Sequence, residues 1–266
     1  MKKQESKKND TSRTTVRSGS LSAVIITYNE EHNIRDAIKS VSWADEVIVV
    51  DSGSGDRTLE YAKKLGAVTY INEWKGYVAQ KNWADLHAKS EWILSLDADE
   101  RVTSELKSEI ISLLKKGTER NGFNIPRRAV FLGKEIRHCH WYPDYQLRLF
   151  RKNKGTWTGG LVHEKLSVDG EIGTLKGDLL HYTYRDISEQ TERLNKYSSL
   201  WAEEAFKKGK KSGILKMISS PVATFFNVYF LRLGVLDGFP GFVIAKGLAF
   251  YSFQKKAKLY QLNREN

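Results

Sequence analysis

Cysteine is almost absent: the 266 residues hold one, Cys139. An intramolecular disulfide and a cysteine-rich zinc site are therefore excluded, and a reducing compartment is the simplest setting. Cys139 stands between His138 and His140, but alternate residues on a strand point to opposite faces and no second cysteine joins them, so the trio is not read as a metal site. Also missing near the N-terminus is an apolar stretch of signal-peptide length. KKQESKKNDTSRTTVRSGS is basic and polar, and residues 1–20 are expected to form a disordered tail. No clean run of about 20 apolar residues, the length of a spanning helix, occurs in the chain. Neither GxGxxG nor GxxxxGK[ST] follows the first apolar segment. A dehydrogenase-type dinucleotide fold and a P-loop are thus unsupported.

What is present is positive charge, with 43 Lys and Arg against 32 Asp and Glu and a net charge of +11. Acidic partners suit that balance: nucleic acid, anionic lipid or a phosphorylated substrate. The length, with 40% hydrophobic residues, is enough for one α/β core and an appendage. Short apolar runs alternate with helical periodicities. Strands are expected at 21–28, 46–51, 67–72 and 92–97, separated by helices to Val41, from Thr58 to Leu65 and from Tyr77 to Ala88. Near-continuous apolar strands in this rhythm predict a mostly parallel sheet with helices on both faces. Right-handed crossovers gather the strand ends at one rim.

The segment around which the chain is organised is Trp92–Glu100, WILSLDADE, an apolar strand ending in carboxylates. On an extended backbone Asp97 and Asp99 share a face. They repel unless a cation sits between them or one keeps its proton. Hard divalent ions take oxygen ligands and share carboxylates with substrate phosphates. A metal–diphosphate site at the strand ends and a plain helix N-cap are both open from the triplet alone.

Four ordered segments resolve that choice: Ile26-Thr27-Tyr28-Asn29-Glu30, Val49-Val50-Asp51-Ser52-Gly53-Ser54-Gly55-Asp56-Arg57-Thr58, Gln80-Lys81-Asn82 and Leu96-Asp97-Ala98-Asp99-Glu100. Their order and spacing resemble family 2 glycosyltransferases of the GT-A fold. The resemblance implies a nucleotide-sugar donor and a divalent metal, Mg2+ or Mn2+. It places Thr27, Tyr28 and Glu30 in the first donor-binding loop, with Tyr28 stacked on the base. It assigns Asp51 to the uracil N–H, Lys81 and Asn82 to the diphosphate side, Asp97 to the ribose side with a share in the metal, and Asp99 to the metal itself. Structural alternatives stand beside these: Tyr28 as core, Lys81 as a solvated helix charge.

Downstream, strands or a hairpin are expected over 123–136, an aromatic loop at 140–144, a strand at 146–151 and a glycine-rich loop at 155–160. Trp141 and Tyr142 are candidates for packing on acceptor sugar rings, or aromatics filling a domain corner. The family's catalytic base falls near Leu161-Val162-His163-Glu164, where this chain has His-Glu rather than Glu-Asp; Glu164 is the assigned base and Asp144 the fallback. His181, on a last strand over 179–184, is a further metal or phosphate contact or a structural histidine. The implied chemistry is a single displacement that inverts the anomeric centre.

Composition turns helical after about residue 187, which sets the expected domain from 21 to 186 and a helical extension from 187 to 266. A capped helix to Lys208, a lysine knot at 207–211, an apolar run over 214–236 and an aromatic helix from Phe239 to about Gln261 follow. These helices suit an anionic membrane surface or packing on the domain or on a second subunit as a homo-oligomer. Asp237-Gly238-Phe239-Pro240-Gly241-Phe242, with the His163-Glu164 segment, is similar to the small lipopolysaccharide core glycosyltransferases. One such group transfers glucose in β1,4 linkage to inner-core heptose. That implies UDP-glucose, a lipid-linked glycan acceptor and a place on the inner face of the cytoplasmic membrane. A nucleotidyltransferase would show a Gly- and Arg/Lys-rich loop where Thr27–Glu30 stand. A nucleic-acid-binding protein would gather its lysines on an aromatic sheet face, which this chain does not.

Overall fold

The computed structural model describes residues 19–159 and 164–265. The tail over 1–18 and the segment 160–163, which holds His163, lie outside them. In chain order the elements are β1 (Leu21–Thr27), α1 (Ile34–Val41), β2 (Glu46–Asp51), α2 (Thr58–Lys64), β3 (Val68–Ile71), α3 (Tyr77–His87), β4 (Trp92–Asp97), β5 (Glu100–Val102) and α4 (Ser104–Lys116). Next come β6 (Gly122–Phe131), β7 (Lys134–Glu135), β8 (Asp144–Arg151), β9 (Gly155–Gly159), β10 (Glu164–Val168), β11 (Ile172–Thr174) and β12 (Leu179–Tyr184). The extension holds α5 (Ile187–Lys207), α6 (Ile214–Phe226) and α7 (Gly238–Glu265).

The main sheet runs β3-β2-β1-β4-β8-β6-β12-β5. Its first four strands are parallel. Beyond β4 the pairing is mixed, because β8 lies antiparallel to both β4 and β6. The α/β GT-A architecture is thus a parallel half joined to a mixed half, and the first half carries the helix crossovers that cover both faces. Period-two side chains explain the covering. On β1, Leu21, Ala23 and Ile25 enter one core with α1 and with Leu106 and Ile110 of α4. Val24 and Ile26 enter the other, with Ala84 of α3, Phe150 and Trp157. Each fully buried Ile or Leu contributes about 1.5–3 kcal/mol, so both layers are needed.

Three local readings differ from expectation. The Gly155–Gly160 stretch is not a loop as far as it is described: Gly155–Gly159 is β9, paired antiparallel to β10. A Cβ on Gly155 would lie 2.2 Å from the Phe150 ring, so this glycine permits close packing instead of a flexible turn. The segment 123–136, by contrast, forms the expected hairpin, a ten-residue strand with a short antiparallel return, β7. The cap of α5 is Asp186, whose Oδ1 accepts from Glu189 N–H at 2.8 Å, two residues before Ser188, where the Ser188-x-x-Thr191-Glu192 pattern predicts it. Cys139 and His140 are left-handed turn residues (φ 61° and 66°) and not strand neighbours; Cys139 is buried among the Val228–Ile244 cluster. Burial and the neighbouring Asp237 carboxylate push its thiol up to about 12.

Candidate active site

The β1 and β2 tips are knitted into one rim. Asn29 takes a left-handed φ of 54°, which its short polar side chain tolerates. Its N–H donates to Ser54 Oγ at 2.7 Å, and its Oδ1 accepts from Gly55 N–H at 2.9 Å. Asp51 is fully buried, with Oδ2 accepting from Gly53 N–H (2.8 Å) and Ser54 N–H (2.7 Å) and Oδ1 from Ser54 Oγ. Its carboxylate builds the loop, while the neighbouring Ser52 is the residue that faces the cleft. Tyr28 projects from this rim, 59% exposed, and is therefore not core.

Asp97 and Asp99 do not share a strand face. β4 stops at Asp97, the chain turns through Ala98 and Asp99, and β5 resumes at Glu100. Asp97 is instead held by two cations, Arg148 Nη2 at 2.6 Å and Lys81 Nζ at 3.1 Å. Burial alone would raise its carboxyl, but Arg148 and Lys81 outweigh burial and keep it well below the usual carboxylate range. Asp99 has a different partner: His181 Nε2, 3.4 Å from its Oδ2. The antiparallel pairing of β12 with β5 places them together, with Tyr182 N–H donating to Asp99 C=O at 2.9 Å.

Lys81 is 1% exposed and is no solvated helix charge. Its ammonium bridges Asp97 to Glu164 Oε1 at 3.3 Å, and sits 4.5 Å from the Trp157 ring centroid. Asn82 grips the backbone of Trp157 in both directions, at 2.8 and 2.9 Å. The Trp157 indole N–H donates to Asp85 Oδ2 at 2.8 Å. Helix α3 thus clamps β9 and sets where β10, and with it Glu164, begins. Asn82 acts in that clamp and is not among the cleft-lining residues.

Burial, opposed by Trp157 and Lys81, raises the Asp85 carboxyl to about 7, and its Oδ1 has no hydrogen-bond partner. Between the ordinary 3.8 and about 7 the folded state holds a proton that the unfolded chain has lost. Stability therefore falls as pH rises through that window, by at most on the order of 4 kcal/mol. Asp85→Asn keeps an acceptor for Trp157 and is expected to flatten that decline. Melting of both proteins from about pH 4 to pH 8 checks it; parallel curves would remove the assignment.

A cleft of about 770 Å³ opens at these strand ends. It brings together Thr27, Tyr28, Glu30, Asp97, Asp99, Glu164 and His181. Burial raises the Glu30 carboxyl, an effect opposed by its Asn33 hydrogen bond and increased by Asp99. The cleft leaves out Asp144, whose Oδ2 accepts from Arg127 Nε (2.9 Å) and Nη2 (2.6 Å) and whose Oδ1 accepts from Gln146 Nε2 (2.7 Å). Trp141 is also elsewhere, with Phe131 and Tyr184 in the cluster under the extension. Tyr142 lies beside Asp178, which with burial raises its phenol. A larger groove of about 1350 Å³ crosses the opposite ends of the strands, by Ser20, Glu46 and Glu91, where strand starts and not strand tips meet.

Four lining residues escaped the sequence reading: Trp74, Tyr77, Arg193 and Tyr197. Trp74 and Tyr77 form an edge-to-face pair with centroids 4.7 Å apart. The aromatic pair at the entry to α3 was a visible signal. Arg193 and Tyr197, one turn apart on α5, carried none, since nothing local says which side of that helix meets the sheet.

Which residues fit a divalent metal is decided by their present partners. Among the described residues no group of three or more His, Cys, Asp or Glu could hold one. Asp97 is taken up by Arg148 and Lys81, so the available donors are Asp99 and His181, an oxygen–nitrogen pair on the cleft wall. That pair fits a site completed by substrate phosphate oxygens.

Residues 22–165 match the model of "Glycosyl transferase family 2". The chain is 33% identical over 248 residues to the lipopolysaccharide core biosynthesis glycosyltransferase LpsC of Rhizobium meliloti, covering 91% of this chain and 92% of that one. It is similar in structure to S. aureus TarS 1-349 in complex with UDP (TM-score 0.47, 14% identity, 93% and 92% covered). It is also similar to glucosyl-3-phosphoglycerate synthase of Mycobacterium tuberculosis, solved with Mn2+, UDP and glucosyl-3-phosphoglycerate (TM-score 0.40, 19% identity, 50% and 57% covered). With a family match spanning more than half its length and a strand-tip cleft built from the matched segments, this chain belongs to glycosyltransferase family 2 and is a glycosyltransferase.

Proposed function

We propose that the enzyme inverts the anomeric centre of a hexose while moving it from a UDP-sugar, UDP-glucose in the first instance, to a lipid-linked glycan of the lipopolysaccharide core or a related envelope polysaccharide. The observation that carries this reading is the meeting of Asp99, His181 and Glu164 in one aromatic-walled cleft. The relationship to LpsC over nine-tenths of both chains supports the acceptor class. A lipid-linked acceptor places the work at the inner face of the cytoplasmic membrane, and net charge +11 suits the phosphates of both substrates.

Each wall of the cleft has a task. Tyr28 offers a face for the base, beside the loop that Asp51 closes. Arg193, between Glu30 and Asp99 in electrostatic reach of both, supplies positive charge where the diphosphate departs. A divalent ion held by Asp99 and His181 would add Lewis-acid stabilisation of that leaving group. Glu164 takes the proton from the acceptor hydroxyl as its oxygen attacks the anomeric carbon on the side opposite the leaving UDP. Lys81 aims that carboxylate and balances its charge at 3.3 Å. Trp74, Tyr77 and Tyr197 offer flat faces to sugar C–H surfaces.

A thermal-shift panel of nucleotide-sugars, with and without Mn2+, tests the donor. UDP-glucose with Mn2+ is expected to stabilise the fold, by about 2.7 kcal/mol at a hundredfold excess over Kd, and ATP or GTP to leave it unmoved. Stabilisation by nucleoside triphosphates and by no UDP-sugar would instead select a nucleotidyltransferase.

A further inference from the structure

The helical extension leaves one face uncovered. From Ile214 to Leu231 the chain forms a helix long and apolar enough to cross a membrane, yet only 6% of it is buried. Leu215 is 79% exposed, and Ile218, Val222, Phe226, Phe230 and Leu231 are exposed with it. Both ends of this helix are tied to the same body. Asn263 Nδ2, near the end of α7, donates to Lys210 C=O at 3.4 Å. At the other end Cys139 N–H donates to Arg232 C=O at 3.0 Å, and Val228 packs into the Ile136–Ile244 cluster. A spanning helix would send its ends to opposite sides of a bilayer. This one lies along the protein, which is the habit of an interfacial helix.

Between α5, α6 and α7 the apolar face deepens into a groove of about 760 Å³, walled by Ile187, Ile218, Pro221, Phe250 and Phe253, with Lys246 in its lining. Gly247 lies in its lining too, where an added Cβ would stand 3.3 Å from Gln190 Oε1. The groove and the donor cleft share α5. Ile187, Gln190 and Thr191 of that helix line the groove, and Arg193 and Tyr197 line the cleft, so the two openings stand about one helix diameter, roughly 10 Å, apart.

The occupant is indicated by charge. Lys246 has no ion pair among the described residues, and neither do Lys210, Lys216 and Lys256, which gather at the α6 start. Burial, with Lys216 and Lys210 nearby, lowers the Lys256 ammonium. A second copy docked face to face would bring like charges together across the two-fold. An anionic bilayer supplies both the hydrocarbon and the counter-charge.

We propose that the α6–α7 face docks on an anionic phospholipid bilayer, with an acyl chain in the groove and its headgroup at Lys246. This deepens the reading of a lipid-linked acceptor: lipid bound there lies across α5 from Glu164.

The test is flotation of the full chain with vesicles of phosphatidylcholine alone or mixed with phosphatidylglycerol. Wild type is expected to float with the mixed vesicles and far less with neutral ones. Ile218→Gln with Phe250→Gln should lose about a hundredfold in binding. Lys246→Glu should lose about tenfold, on mixed vesicles only. Leu215→Gln, at the most exposed position of this face, is a second apolar variant that has little packing to lose and should also weaken flotation. All should keep the wild-type UDP-glucose shift, which separates this proposal from the donor reading. Equal flotation with both vesicles, variants that float like wild type, or a wild-type dimer that Ile218→Gln with Phe250→Gln splits into monomers would each overturn it.

Discussion

Replacing Asp99 with alanine is expected to reduce sugar transfer by a hundredfold or more, the scale at which a lost transition-state charge stabiliser is felt, about 10²–10³. The Mn2+-dependent part of the UDP-sugar thermal shift should vanish with it, while the melting temperature of the unliganded protein stays within about a degree or two of wild type. The reason is local. Asp99 is partly exposed, and among the described residues its only ion-pair partner is His181. The buried charge chain that holds the strand tips together runs instead through Asp97, Arg148, Glu100 and Arg127. Arg148 is 4% exposed, and Asp97 and Glu100 raise its guanidinium against the lowering effect of burial. Removing Asp99 leaves every member of that chain paired. Full activity, or an undiminished Mn2+ shift, in Asp99→Ala would remove the metal assignment.

Glu164→Gln is expected to lower kcat by about 10²–10⁴, the usual worth of a general base, with little change in KM for the donor. An amide oxygen can still accept from Lys81 at the 3.3 Å separation seen here, so the β10 start should hold its place. What is lost is the capacity to take a proton. Asp144→Asn provides the contrast. Asp144 is bound twice by Arg127 and once by Gln146, outside the cleft, so its loss should cost stability and leave kcat near wild type. A collapse of kcat in Asp144→Asn with an active Glu164→Gln would transfer the base to Asp144.

The parallel half of the sheet was legible because its signal is local. EVIVVD reads as a strand and is β2 over the same residues; WILSLD is β4 over the residues expected, 92–97. Tyr28, Glu30 and Asp99 were legible for a related reason, since right-handed crossovers bring parallel strand ends to one rim whatever the packing behind them. The pairing of β12 with β5 was not legible. It joins residues 77 to 81 positions apart through an antiparallel edge, and no feature of either segment names the other. His181 reaches Asp99 only through that pairing.

The role of Lys81 could not be read either. A lysine on a helix is ordinarily solvated, and only the approach of Trp157, Asp97 and Glu164 from three other elements desolvates it. The aromatic loop followed the same logic in reverse: Trp141 has the composition of a sugar platform, and the C-terminal helices cover it.

What the amino-acid order determined alone was the family, the strand–helix rhythm and the carboxylates at the strand tips, because hydrophobic period and turn chemistry act over a few residues. What only the tertiary structure decided was which carboxylate faces the cleft, which is locked to arginine or lysine, and that α5 lends Arg193 and Tyr197 to the site. Those outcomes depend on how distant segments desolvate and pair one another's charges, and that energy does not exist until the chain has closed.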